Sequence, residues 1–138
     1  MMRKRKGYKV YPLTVAQKFH LFYLPFCPTA AVLNIGTSLT IEAEIDWDLL
    51  AKSINQAYAR SEGMRIRFAK DKEGTWYQYV VDPEDKEIEF ADFTDKTVEE
   101  AHEIMQQWTT VPFKMADSPM TRGRTDFIQK CTVIREHH

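Results

Sequence analysis

The stretch "DWDLLAKSINQAYARSEGMRIRF" changes its apolar period from that of a helix to that of a strand within a few residues, and this switch does most to set the fold. Leu50, Ala51, Ile54, Ala57 and Tyr58 recur at helical spacing, with Asp46 and Asp48 near the positive end of the helix dipole. This is the best amphipathic helix in the chain. "MRIRF", residues 64–68, and "TWYQYVV", residues 75–81, are rich in β-formers and flank "KDKEG", so they predict a hairpin closed at Gly74. A helix leading straight into a hairpin implies an α+β fold in which a mixed β-sheet packs with helices.

Other elements follow from local chemistry. "TVAQ" is a capping box, in which Thr14 accepts from the backbone N–H of Gln17 and the Gln17 side chain reaches back to the cap. A helix of about ten residues should follow through Phe19, Phe22 and Tyr23, until the prolines of "PFCP", residues 25–28, remove its donors. Residues 39–46 alternate strictly, with Leu39, Ile41, Ala43 and Ile45 on one face, which is the period of a half-buried strand. "EIEF", residues 87–90, reads as a further short strand. Thr97 and Glu100 form a second capping box, opening a helix that carries Val98, Ala101, Met105 and Trp108 on one side and ends at Pro112. "SPMTRGRT" is turn-like, and "DFIQKCTVIRE" reads as a last strand.

With 138 residues the chain has room for one core, and no repeat, linker or low-complexity tract divides it. Nineteen basic residues balance 20 acidic ones, for a net charge of −1, so the balance points to no nucleic-acid partner. The local exception is residues 1–10, where Arg3, Lys4, Arg5, Lys6 and Lys9 form a basic arm that reads as a solvated terminus. Pro12, Gln17, Lys18, His20 and Pro25 interrupt any signal-peptide core, and no segment is long enough to span a bilayer, so no membrane partner is expected. Cys27 and Cys131 have no metal-ligand spacing and read as free thiols of a reducing, cytoplasmic compartment. The five glycines do not cluster into a phosphate-binding loop.

Few residues stand out as chemical candidates. Glu42, Glu44 and Asp46 read as the wet side of a strand, and Trp47, Trp76, Tyr77 and Trp108 as packing aromatics. His20 and His102 have no Ser, Cys or Asp at a nucleophile spacing. The chain ends in "VIREHH", whose adjacent His137 and His138 could open a catalytic motif, finish a strand in solvent, or be the remnant of a purification tag.

Three stretches in order, "LTVAQ", "YARSEGMRIRF" and "PFKMADSPMTR", resemble the N-terminal part of nonribosomal peptide synthetase condensation domains, from about Tyr11 to the chain end. That family's first motif is Ser-x-Ala-Gln-x-x-Leu-Trp; Thr14, Ala16 and Gln17 match its start, and Leu21 and Phe22, each one position later than its Leu and Trp, look like the rest of it. Its second is Arg-His-Glu-x-Leu-Arg-Thr-x-Phe; Arg60, Glu62, Arg65 and Phe68 match it, whereas Ser61, Met64 and Ile66 depart. Met for Leu conserves core volume, and Arg60, Glu62 and Arg65 are expected to act as ion-pair partners that fix the helix-to-strand turn. The third motif, His-His-x-x-x-Asp-Gly, would begin at His137 and His138, with its Asp and Gly beyond the chain end.

The resemblance implies a single lobe of the chloramphenicol-acetyltransferase-like fold, residues 11–138, cut at or before the His-His motif. Two such lobes form a V with the reactive site in a tunnel between them. The implied reaction joins carrier-bound substrates, the amine of an aminoacyl thioester attacking an acyl or peptidyl thioester to form an amide. His138 would be the active-site histidine with His137 as its neighbour, since imidazole can take or hold a proton near neutral pH. No metal or bound cofactor is implied; phosphopantetheine belongs to the partner carrier proteins. With the C-terminal lobe missing, the chain alone is expected to be inactive and to expose apolar surface through which it could self-associate. The alternatives are a non-catalytic binding or interaction module on the same fold, and another thioester-dependent acyltransferase.

Overall fold

The hairpin predicted around Gly74 forms the centre of the molecule. A computed structural model describes residues 3–127. Seven short strands and three α-helices occur in this span. The strands are β1 (Lys4–Arg5), β2 (Tyr8–Lys9), β3 (Tyr11–Pro12), β4 (Ile66–Lys70), β5 (Trp76–Val80), β6 (Glu89–Asp92) and β7 (Arg124–Phe127); the helices are α1 (Val15–Tyr23), α2 (Trp47–Arg60) and α3 (Val98–Thr109). β5 is the middle strand of an antiparallel sheet in the order β3-β5-β4. The turn between β4 and β5 is closed by Asp71, whose Oδ1 accepts from the N–H groups of Glu73 and Thr75, and by Gly74 at φ +86°, a backbone conformation that costs glycine nothing.

Both capping boxes form as the sequence requires. Thr14 Oγ1 accepts from Gln17 N at 3.2 Å while Gln17 Oε1 accepts from Thr14 N at 2.8 Å, and Thr97 with Glu100 repeats the arrangement on α3. α1 ends at Tyr23, and a 3-10 turn spans Leu24–Phe26 where the first proline falls. Asp46, read both on the wet face of a strand and near the positive end of a helix dipole, takes the second place and caps α2 by accepting from Leu49 N at 3.0 Å.

Four expectations need correction. Residues 39–46 form no strand, because an extended segment becomes one only when a neighbour takes its backbone hydrogen bonds, and no described strand lies beside it. The "MRIRF" strand starts two residues late, since Glu62–Arg65 is a 3-10 turn leading out of α2. "EIEF" shifts to Glu89–Asp92, where it pairs in parallel with β7. The basic arm is a hairpin rather than a free tail: Lys6 and Gly7 both take positive φ, the geometry of a tight hairpin turn, and Arg5 donates to Asp117 across the fold.

The core is small. Among the described residues only Leu13, Ala69, Tyr79, Phe93 and Ala101 are buried apolar residues, and the charged Arg67 lies among the buried set. α2 is amphipathic, yet none of its residues is fully buried. The chain exposes 11103 Å² of surface. Ile35 is 99% exposed, Leu39 85%, and Phe19, Phe22 and Phe26 also face outward. These are large apolar side chains left in contact with water.

Candidate functional site

The three stretches that carry the family resemblance meet on one sheet. Gln78, in the middle of β5, pairs with Tyr11 on one side and Phe68 on the other. Its side chain joins the first stretch to this strand: Gln17 Nε2 donates to Gln78 Oε1 at 2.8 Å, and Gln78 Nε2 donates to the Pro12 carbonyl at 3.0 Å. Gln17 therefore caps its helix through its carbonyl oxygen and anchors that helix to the sheet through its amide nitrogen. Ala16, one position earlier on α1, is exposed.

Arg65 fixes the exit from α2. Its Nε donates to the Tyr58 carbonyl at 3.3 Å and its Nη1 to the Val81 carbonyl at 2.5 Å, so one guanidinium ties the last turn of the helix to the end of β5. The expected ion pairs among Arg60, Glu62 and Arg65 are not found among the described residues. The turn is held instead by carbonyl acceptors, which a forked donor with fixed geometry suits better than a carboxylate partner would. Arg60 and Glu62 lie exposed on either side of Ser61, and Phe68 is half-buried on β4.

The third stretch docks on the same strand. Ala116 bridges Phe68, and Asp117 N donates to the Phe68 carbonyl at 2.7 Å. Asp117 stands at φ +54°, and from there its carboxylate accepts from Arg5 Nε at 3.1 Å, Arg5 Nη2 at 2.6 Å and the Tyr79 hydroxyl at 2.7 Å. The Arg5 hydrogen bonds hold the Asp117 carboxyl down at about 2, with the Tyr79 hydroxyl adding to the effect. Burial, reinforced by the bond to Asp117, pushes the Tyr79 hydroxyl up to about 12. Sequence reasoning missed this hub, because an Asp in a turn-like stretch carries no signal for partners that lie 38 and 112 residues away.

Downstream of Asp117 the chain is held by cation–aromatic contacts. The Arg122 guanidinium lies 4.1 Å over the Phe113 ring and donates to the Val111 carbonyl, and Arg124 sits 5.1 Å over Trp108 and 5.6 Å over Phe93. Arg124 also pairs with Asp126 at 3.0 Å. Trp108 thus packs as expected, though against arginines, and Trp47 meets Phe90 edge to face at 5.0 Å. An apolar groove of about 520 Å³ opens beside α1, lined by Leu13, Leu21, Phe22, Pro25, Phe26 and Trp76.

His137, His138 and Cys131 lie outside the described residues, which comprise the scaffold and not the expected catalytic pair. His20 and His102 are exposed, and Cys27 is a free thiol whose Sγ lies 3.4 Å from the Tyr23 carbonyl. No group of three or more His, Cys, Asp or Glu side chains among the described residues could hold a metal ion. No helix among them is long and apolar enough to cross a membrane.

A helix anchored on an antiparallel sheet, a guanidinium clamp at the helix-to-strand turn and a returning segment on the same strand define one lobe of the chloramphenicol-acetyltransferase-like fold. The first condensation domain of the calcium-dependent antibiotic synthetase shares it with a TM-score of 0.68 at 22% identity, over 80% of this chain and 27% of that one. The starter condensation domain of rhizomide synthetase, solved in complex with C8-CoA, gives 0.71 at 20% identity over 80% and 26%. The condensation-domain family model matches residues 8–125, and the chain belongs to that family. It is 27% identical over 135 residues to a linear gramicidin synthase of Brevibacillus parabrevis, and 30% identical over 118 residues to a surfactin synthase of Bacillus subtilis. These alignments take in 92% and 81% of the chain but only 3% of each relative.

Proposed function

We propose that the chain is the N-terminal lobe, or most of it, of a domain that forms an amide between two carrier-bound thioesters. The upstream donor is an acyl or peptidyl thioester and the downstream acceptor an aminoacyl thioester, both on phosphopantetheine arms of carrier proteins. The observation that carries this reading is the convergence of Gln17, Arg65 and Ala116 on β4 and β5 within a chain that the condensation-domain model matches over residues 8–125.

His138 is the proposed catalytic group and His137 its motif neighbour. A neutral imidazole accepts the proton that the attacking amine must shed, and it can hold that amine in line with the thioester carbonyl. The amine nitrogen forms the new C–N bond, the thiolate leaves, and the carrier arm takes up a proton. The chain alone should not catalyse this, because positioning two arms needs both walls of a tunnel and one lobe supplies one wall. Exposed apolar side chains such as Ile35, Leu39 and Phe22 are ones the rest of such a domain would cover. Residues 39–46 and the aromatic face of α1 are the proposed parts of that interface, and self-association of the isolated chain would use the same surface. We place the protein in the cytoplasm, where its carrier partners work and its thiols stay reduced.

The test is replacement of His138 by Ala in the longer protein that carries this chain, with product detected by mass spectrometry of the carrier-bound species. Amide formation should be lost while the melting transition is kept. Retained turnover would refute the assignment. Reading the gene past His138 checks it independently: an Asp four positions on, followed by Gly, completes the motif, and a stop codon or a run of histidines removes it.

A further inference from the structure

The β1–β2 hairpin has two unlike faces. Side chains directly opposite each other in an antiparallel pair share a face. Arg5 is opposite Tyr8, and both meet the fold: Arg5 donates to Asp117 at 3.1 and 2.6 Å, and Tyr8 stacks on Tyr79 with ring centroids 5.9 Å apart. Lys4 is opposite Lys9, so both project from the other face, and both are exposed. Arg3, just before the strand, is exposed as well. Among the described residues no carboxylate lies within ion-pair distance of Arg3, Lys4 or Lys9. The acids near the hairpin, Asp82, Glu84 and Asp117, line a cavity with Lys6 and Tyr8, and neither Lys4 nor Lys9 lines it.

This arrangement is costly, because like charges directly opposite on paired strands repel. Arg5 and Tyr8 flank the two-residue turn, and Val10 N donates to the Arg3 carbonyl at 3.3 Å, so Lys4 and Lys9 form the non-hydrogen-bonded pair between, whose side chains stand closest. The same alternation turns the Lys4 N–H and C=O away from β2, and no other described strand pairs with β1. Lys4 thus offers a backbone donor, a backbone acceptor and an ammonium at a free edge, and Lys9 adds a second ammonium beside them. The phosphates of a nucleic acid or a lipid surface could use only the ammoniums. An extended polypeptide with acidic side chains uses all four groups. A lysine at a strand edge deters apolar strands, and the same charge admits an acidic one.

We propose that the free edge and outer face of the β1–β2 hairpin receive an acidic, extended segment of another polypeptide. The segment adds to β1 through the backbone of Lys4 and sets its carboxylates on the face that carries Lys4 and Lys9. The site is separate from the amide-forming reading, since it uses neither histidine nor any residue matched to the family's motifs, and its test does not depend on turnover.

The experiment titrates the full chain, followed by amide NMR, with a short amidated peptide that alternates glutamate and valine. Saturable shifts confined to the hairpin are expected, with protection of the Lys4 N–H from exchange. Lys4→Gln and Lys9→Gln should each raise the Kd about threefold, as should raising the salt from about 50 to about 200 mM. The same peptide N-methylated at alternate residues should bind about threefold more weakly, because it loses backbone bonds. Lys4→Gln should also raise the melting temperature, since it ends the repulsion with Lys9, a result that a purely structural lysine would not give. Shifts that do not saturate or that spread beyond the hairpin overturn the proposal, as does a Kd that neither variant moves. So does equal binding of the N-methylated peptide, or a melting temperature that Lys4→Gln lowers. Tighter binding to phosphatidylglycerol vesicles or to duplex DNA would show that charge alone is read, and would overturn it too.

Discussion

Asp117 offers the clearest test of how the lobe is held together. Tyr79 is 1% exposed and gives its hydroxyl proton to Asp117 at 2.7 Å. Removing the hydroxyl with Tyr79→Phe deletes one hydrogen bond and should cost about 1 kcal/mol. Asp117→Ala does more, because it leaves that buried hydroxyl with no acceptor, at a cost of about 2–3 kcal/mol. The Arg5 side of the hub is solvated and adds little to this figure. In the Tyr79→Phe background no hydroxyl remains to be stranded, so Asp117→Ala should cost less there, and the double-mutant cycle should show a coupling of about 1–2 kcal/mol. Asp117→Asn keeps an acceptor for Tyr79 and should fall between wild type and Asp117→Ala. The assay is urea unfolding followed by tryptophan fluorescence at pH 7. Effects that add to within about 0.3 kcal/mol would refute the claim that Tyr79 and Asp117 act as one unit.

Other outcomes follow from the same geometry. Asp117 has a folded pKa of about 2 against an ordinary 3.8, so its contribution is complete above pH 4 and is lost as pH falls from there towards 2; acid unfolding should steepen in that window and flatten in Asp117→Asn. Tyr79 is shifted the other way, from 10.0 to about 12, so its contribution is complete below pH 10 and declines as pH rises through 12, a loss that Tyr79→Phe should abolish. Arg65→Met removes both carbonyl clamps and should destabilise the chain by about 2 kcal/mol, and Arg65→Lys should restore little, since one ammonium cannot span two carbonyls as the fork does. Thr14→Ala should cost about 1 kcal/mol through loss of the α1 cap, measured in the same urea assay.

What could be read from the sequence was what nearest neighbours decide. Thr14 with Gln17, Thr97 with Glu100, and the turn around Gly74 are fixed within three or four residues, and each forms as its local chemistry requires. The alternation of residues 39–46 is equally plain, yet no strand results, because pairing depends on a neighbouring strand and the described residues supply none. Asp46 shows the same limit at the scale of one residue, since a carboxylate on an alternating face and a carboxylate at a helix cap look alike until the helix start is placed. Arg65 stands out in the sequence for the right turn and the wrong partner type, as sequence does not show which carbonyls a turn will leave open. Arg5, Tyr79 and Asp117 meet only through the fold, and no spacing rule relates them.

If this lobe, carrying His138, supplies one wall of an amide-forming site, it is inert without the other. The decisive experiment mixes the purified chain with the separately produced remainder of its condensation domain and measures amide formation between loaded donor and acceptor carrier proteins. Turnover should appear only with both pieces present and should vanish when the chain carries His138→Ala. Turnover by either piece alone, or activity that survives that substitution, would show that the site is not built from two walls around this histidine.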